Sequence, residues 1–286
     1  MTQVGDMAEH ARVLELIQAV DLERQDADRV TAWLAEHRAA VVAAVLACDH
    51  EGARGLGTRL AAAVWPAAGL VPDPAWWTEL AQAGESLAVA DRDPAALADL
   101  LRRGAMTFAA HGDHLRAEER LVRALAIARR EGLPGKDHVL SSLGALYRDW
   151  GRLSKALDAY LGLVDVRRDA GDPVGTAAAL AEVGATMHAA GRVRSAMDYF
   201  DQADEVMTEA SGPPVEHARV LVWCGRTRWE QGLHGPARHR WSRALAMLVD
   251  VDEAGADRVR ALLANGPAHE PDYLPNTSSS PSGGVG

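Results

Sequence analysis

Cysteine, phenylalanine, tyrosine and lysine are all scarce in this chain, and each scarcity excludes something. Two cysteines, Cys48 and Cys224, in 286 residues cannot form a disulfide framework, and they are expected as small buried apolar groups in a reducing compartment. Two Phe, four Tyr and the lack of any Val/Ile/Thr-rich alternating run leave little to build a sheet from. Lys136 and Lys155 are the two lysines; every other basic residue is arginine, which reads as a coding bias and not as a phosphate-binding surface. Uninterrupted apolar runs stay short of the roughly 18 residues that a membrane span needs. The start, MTQVGDMAEHARVLELIQ, has no basic region followed by an apolar core. The chain is therefore expected to be cytoplasmic, with no membrane partner. Basic charge is also in deficit, 30 Lys plus Arg against 40 Asp plus Glu, and the net charge of −10 argues against direct binding of nucleic acid.

Catalytic and metal-binding patterns are missing too. There is no G-x-x-x-x-G-K-[ST], no H-E-x-x-H and no G-x-S-x-G. His111 and His114 lie across a turn at Gly112, and His234 and His239 flank Gly235-Pro236, without the cysteines or carboxylates that would complete a metal site. No catalytic residue, cofactor or metal is expected, and the chain is read as a non-enzyme.

What the sequence does have is Ala, Leu, Arg and Glu in abundance, good helix formers all, and a repeat. Gly112, Gly151, Gly191 and Gly232 are spaced by 39, 40 and 41 residues. Five residues after each stands an alanine: Ala117, Ala156, Ala196 and Ala237. Four further on comes Leu121, Tyr160, Phe200 or Trp241, and three beyond that Ala124, Leu163, Ala203 or Ala244. These offsets of i, i+4 and i+7 define one face of a helix, so each glycine marks a tight turn between two helices and each alanine a close approach. A second glycine, Gly144, Gly184 or Gly225, stands seven residues before the turn, inside the first helix. There it costs about 1 kcal/mol relative to alanine unless packing requires it. Gly104 is eight residues before its turn, which makes the first copy the least regular.

The residues Gly144, Tyr147, Gly151, Ala156, Tyr160 and Leu163 in LGALYRDWGRLSKALDAYLGL resemble a tetratricopeptide repeat, and LAEVGATMHAAGRVRSAMDYFDQA is similar. A period above the usual 34 implies helices two or three residues longer, as in kinesin light chains and bacterial signal-transduction ATPases. Upstream, AWLAEHRAAVVAAVLACDHEGARGLGTRLAAAVWP, with Trp33, Glu36, Ala61 and Trp65, resembles the helical pairs after the ATPase core in antibiotic-regulatory and signal-transduction ATPase regulators. The resemblance implies the repeat arm of such a bacterial regulator, here without its ATPase and DNA-binding modules.

The expected fold is all-α, a right-handed superhelical solenoid of antiparallel helix pairs. The expected organisation is a disordered N-terminus at 1–8, irregular helical pairs over 9–93, and four extended repeats with a capping helix over 94–264. Residues 265–286, rich in Pro, Gly and Ser, are expected to be a disordered tail. Five of the eight tryptophans, Trp33, Trp65, Trp150, Trp223 and Trp241, fall at packing positions or turns. Adjacent Trp76 and Trp77 are not expected to face inward together, so one is expected at the surface.

The family's pattern implies that first helices line a concave groove, and carried over residue by residue it gives a set of partner-binding positions. These are His138, Ser141, Arg148 and Asp149 in the second repeat, His188 in the third, and Arg219, Arg226, Trp229 and Glu230 in the fourth. Between 219 and 243, Arg219, Arg226, Arg228, Arg238, Arg240 and Arg243 face one acid, Glu230. Two readings stay open: a solvated face paired with Asp201, Asp204, Glu205 and Glu209, or an anion site for a partner's carboxylates anchored by Arg226 and Trp229.

The functional expectation is a non-enzymatic adaptor or regulatory subunit that holds a protein or peptide segment in its groove. Self-association as a homodimer is compatible with it. One alternative is a sensor of a small-molecule ligand or signalling peptide, for which His138, Arg148, His188, Arg226 and Trp229 would suit an anionic or aromatic ligand. Another is an enzyme or accessory subunit of a biosynthetic complex.

Overall fold

Helix starts and stops follow directly from local chemistry. Asp73, Asp93 and Asp172 each precede a proline and cap the helix that follows, the first through Trp76 N–H, the second through Ala95 and Ala96 N–H, the third through Gly175 N–H. Asp113 and Asp252 cap two more. The first helix of each repeat ends in a glycine at positive φ, from 73° to 77° at Gly112, Gly151, Gly191 and Gly232. The next residue's N–H then donates back to the carbonyl five residues earlier, Asp113 to Phe108, Arg152 to Tyr147, Arg192 to Met187 and Leu233 to Arg228, at 2.7–2.9 Å.

A computed structural model describes residues 12–18, 27–67 and 73–267. The disorder expected at 1–8 and for most of the C-terminal tail falls outside the described residues. Among them every regular element is helical: α1 (12–18), α2 (Ala27–Ala47), α3 (Arg54–Ala63), α4 (Pro74–Ala90), α5 (Pro94–Ala110), α6 (His114–Arg130), α7 (Lys136–Asp149), α8 (Leu153–Asp169), α9 (Pro173–Ala189), α10 (Val193–Glu209), α11 (Pro214–Glu230), α12 (His234–Leu248) and α13 (Glu253–Asn265), with a 3-10 turn at Trp65–Ala67. Helices α5, α6, α8, α9, α10 and α11 are each 17 residues long, the lengthening that the 40-residue period requires. The fold is the all-α arrangement of antiparallel pairs expected from the repeat.

The chain divides into two compact units, Met1–Ser142 and Leu143–Gly286, and the division falls inside α7. In the first unit α2 packs on α3 and α4, and α4 on α5, which pairs with α6. Their core is made of Leu34, Val41, Val45, Leu60, Trp77 and Leu80. Within α2, Arg29–Ala47 has the length and mean hydropathy, 1.3, of a membrane span, although charged residues interrupt it. Its Val30, Leu34, Val41, Val42 and Val45 are buried in this core. Trp76 and Trp77 are both buried, contrary to expectation. Helix α4 is covered on several sides, so a 100° step does not carry a side chain out of the core. Trp77 meets Trp65 edge to face at 5.1 Å, and the Trp76 indole N–H donates to the Arg38 carbonyl at 3.1 Å.

In the second unit α8 packs on α9, α9 on α10, α10 on α11, α11 on α12 and α12 on α13. The repeat positions are its core. Ala156, Ala196 and Ala237 are 0% exposed, and Tyr160, Phe200 and Trp241 are equally enclosed. Each of these rings lies on the helix-internal glycine of its own pair: Tyr160 on Gly144, Phe200 on Gly184, Trp241 on Gly225. Burial of such a ring stabilises by about 2–3 kcal/mol, more than the helix propensity a glycine costs. Ala256 and Val259 of α13 close the far end against Trp241 and Leu248.

Candidate functional site

Helices α9 and α11 touch each other, as well as α10 between them, and so share a face of the second unit. On α9 that face runs along Ala178, Ala181, Ala185 and His188, small residues ending in an imidazole. Along α11 it carries Arg219, Trp223, Arg226 and Glu230, spaced by three, four and seven residues, as one side of a helix demands.

At the end of this face, His188 and Glu230 meet across the two helices, His188 Nε2 donating to Glu230 Oε2 at 2.6 Å. Glu230 Oε1 lies 3.7 Å from Arg226 Nε. The Arg226 guanidinium sits over the Trp223 ring at 5.5 Å, and His188 meets the same ring edge to face at 5.6 Å. Trp223 is fixed from behind by Phe200, stacked at 5.6 Å with planes 13° apart. Trp223 is 7% exposed, and its indole N–H has no hydrogen-bond partner among the described residues. Arg219 is half-buried and pairs with Glu216 at 3.6 Å.

The remaining positions are distributed differently. His138, exposed, and Ser141, half-buried, belong to the first unit; Arg148 and Asp149 belong to the second. Arg148 pairs with Glu182 of α9 and lies over the Tyr160 ring at 5.5 Å, while Asp149 is exposed. Burial, reinforced by Glu182, pushes the Tyr160 phenol well above its ordinary range, so it stays protonated. Trp229 is turned toward α12: it packs on Trp241 at 5.4 Å and on His234 at 4.1 Å, with Gly266 against its ring. Its place is in the cluster that seals α11, α12 and α13.

Half of the arginine excess of the fourth repeat, Arg228, Arg240 and Arg243, is taken up in ion pairs with α10. Arg228 holds both oxygens of Asp201 at 2.7 and 2.6 Å. Arg240 contacts Asp201 and Asp204. Arg243 holds Asp204 through two bonds at 2.9 and 3.1 Å, and His217 donates to the same carboxylate at 2.7 Å. Arg238 lies over Trp229 at 5.8 Å. Sequence reasoning missed Glu182 and His217. The pairing of Asp201 with Asp204 at i, i+3 on α10 was the available signal for the His217 network; nothing comparable marked Glu182.

In the first unit, a cleft of about 480 Å³ between α3 and α5 is lined by Gly52, Gly55, Arg59, Asp93 and Asp99 among others. Asp99 is already held by Arg102 and Arg103. Among the described residues, no three His, Cys, Asp or Glu side chains converge as a metal site would require. Both cysteines are buried, and burial pushes the Cys224 thiol up to about 12.

No protein-family model and no curated protein sequence matches this chain. Solved structures do. It is similar to BtubC (BKLC) from P. vanneervenii, with a TM-score of 0.60 and 15% identity over 94% of this chain and 98% of that one. A signal transduction ATPase with numerous domains, bearing a tetratricopeptide repeat sensor, from Pyrococcus horikoshii gives a TM-score of 0.65 at 12% identity over 89% of this chain. The match spans 39% of that ATPase's length. The Rap conjugation gene regulator of the plasmid pLS20, in complex with the Phr* peptide, gives a TM-score of 0.50 at 13% identity, covering 92% of this chain and 82% of that one. At these identities the likeness concerns the fold, and the fold is that of tetratricopeptide-like helical repeats.

Proposed function

We propose that this chain is a non-enzymatic, cytoplasmic helical-repeat module that holds a peptide or protein segment against the α9–α11 face and acts as an adaptor or regulatory subunit. The observation that carries this reading is the composition of that face. Ala178, Ala181 and Ala185 put no long side chain on that face, and His188, Trp223, Arg226 and Glu230 bring aromatic and charged groups together at its end. Aromatic and arginine side chains in a partly desolvated setting are the groups on which binding energy concentrates. The Rap regulator of similar fold is itself in complex with a peptide, which supports an extended segment as the occupant and equally supports a signalling-peptide sensor.

The test is selection of random dodecapeptides on the purified protein and on an Ala189→Trp variant, whose exposed position beside His188 accepts a bulky group without disturbing the core. Peptides that bind the wild type and lose at least tenfold in affinity for the variant support the reading. Equal binding to both, or no selected peptide, rejects it.

A further inference from the structure

We infer that Glu230 occupies the place of a ligand carboxylate, and that the peptide this face takes carries an acidic side chain or free C-terminal carboxylate that displaces it from Arg226 and His188. The inference rests on the peptide-binding reading above and adds to it the chemical class of the anchoring group.

Glu230 is the last residue of α11. A helix C-terminus carries the negative end of the macrodipole, so a carboxylate there is held against the helix's own field and needs cations to stay. Its two partners are positioned independently of it. Arg226 is laid on Trp223, and Trp223 is stacked on Phe200, so the guanidinium position is set by buried rings. His188 is set by its edge contact with the same indole. Glu230 itself is the exposed member of the cluster, with its side chain 34% accessible against 16% for Arg226 and 24% for His188. A carboxylate from outside meets the same two donors, and Glu230, the most exposed of the three side chains, is displaced into solvent.

The contrast with Asp204 shows what a permanent pair looks like in this chain. Asp204 is 6% exposed and held by His217, Arg240 and Arg243, an arrangement no ligand can enter. Glu182, with its side chain 13% exposed beside Arg148, is also enclosed. Glu230 differs from both in exposure and in its place at a helix end.

The experiment repeats the dodecapeptide selection on the wild type, Glu230→Gln and Arg226→Gln. Removing the internal competitor raises the fraction of molecules in which the Arg226–His188 site is open to a ligand, so Glu230→Gln binds the acidic peptides it selects about tenfold tighter than the wild type does. Peptides selected on the wild type and on Glu230→Gln carry Asp, Glu or a required free terminus, and Arg226→Gln loses that preference. Synthesis of each selected sequence with a free and with an amidated end tells a terminal carboxylate from a side chain. Selected peptides with no acidic requirement, bound equally by wild type and Glu230→Gln, overturn the carboxylate assignment and leave peptide binding standing. Peptides that bind the Ala189→Trp variant as well as the wild type overturn both.

Discussion

The ring of Trp241 rests directly on the α-carbon of Gly225, so closely that a β-carbon at 225 would overlap its indole. Gly184 and Phe200 stand in the same relation but with more room, the nearest ring atom 3.0 Å from where a β-carbon would lie. Alanine at either position gains about 1 kcal/mol in helix propensity and loses to overpacking what the ring cannot yield. Gly225→Ala is expected to destabilise by about 1–2 kcal/mol, because Trp241 is fully enclosed and its N–H is tied to the Val222 carbonyl at 3.1 Å. Gly184→Ala is expected to stay within about 1 kcal/mol of wild type. Urea unfolding midpoints of the two variants decide it; equal losses would mean that the rings do not set the glycines.

Ser211 holds φ at 50°, the left-handed region, in the turn after α10. Gly132 and Gly171 hold the equivalent turns after α6 and α8, 79 and 40 residues earlier. The side chain at 211 thus bears a strain its counterparts avoid. Ser211→Gly is expected to stabilise by about 0.5–1 kcal/mol, the relief of strain exceeding the added freedom of the unfolded chain. A thermal midpoint that falls would show that Ser211 makes a compensating contact.

Asp204 gives the fold an acid-sensitive joint. Burial pulls its pKa upward and is the largest single influence. Hydrogen bonds from Arg243 and His217 and the charges of Arg243 and Arg240 together outweigh it, so the carboxyl titrates below its ordinary 3.8. A folded-state value below the unfolded one means stability fully present above pH 3.8 and lost as the pH falls through the lower folded-state value. Asp204→Asn is expected to cost about 3 kcal/mol at neutral pH, since it leaves two arginines and His217 facing an amide. The gap to wild type should narrow in acid. A gap that is constant from pH 7 to pH 3 would show that the charge of Asp204 is immaterial.

Cys48 and Cys224 are 1% and 0% exposed, and the Cys224 thiol is pushed up to about 12. Thiolate is the reactive form, so neither cysteine is expected to react with iodoacetamide at pH 8 in the folded protein, and both are expected to react in 6 M guanidinium. Mass spectrometry showing one alkylated thiol under native conditions would place that thiol in an open segment.

The sequence made the helix pairs legible because their spacing depends on residues that few alternatives can replace. Glycine at a left-handed turn and alanine at a close approach are requirements of backbone geometry, and they recur visibly. The irregular first copy also has a physical reason. Sixteen residues after Gly144, Gly184 and Gly225 stand Tyr160, Phe200 and Trp241; sixteen after Gly104 stands Arg120, whose guanidinium crosses over the glycine to pair with Glu85 of α4. Gly104 stands one residue out of register, so the side chain over it is Arg120, while Leu121 keeps the enclosed position held by the rings of the later copies. The buried Trp76–Trp77 pair was illegible because the exposure of neighbouring residues depends on how many sides of a helix are covered, and periodicity alone does not report that. On the α9–α11 face the sequence did not reveal which side chains meet, nor that Trp223 joins His188 and Arg226 while Trp229 packs toward α12. His188 and Glu230 are 42 residues apart, and nothing in either local sequence announces that they meet.

Glycine and plug belong to one and the same forty-residue unit, whether the plug is a guanidinium, a phenol, a phenyl or an indole. Each copy therefore travels with its own lock. Such an array can be lengthened, trimmed or shuffled by whole units without redesigning the inside of any of them, and its copies are free to diverge at the surface while the joint that closes each pair stays intact.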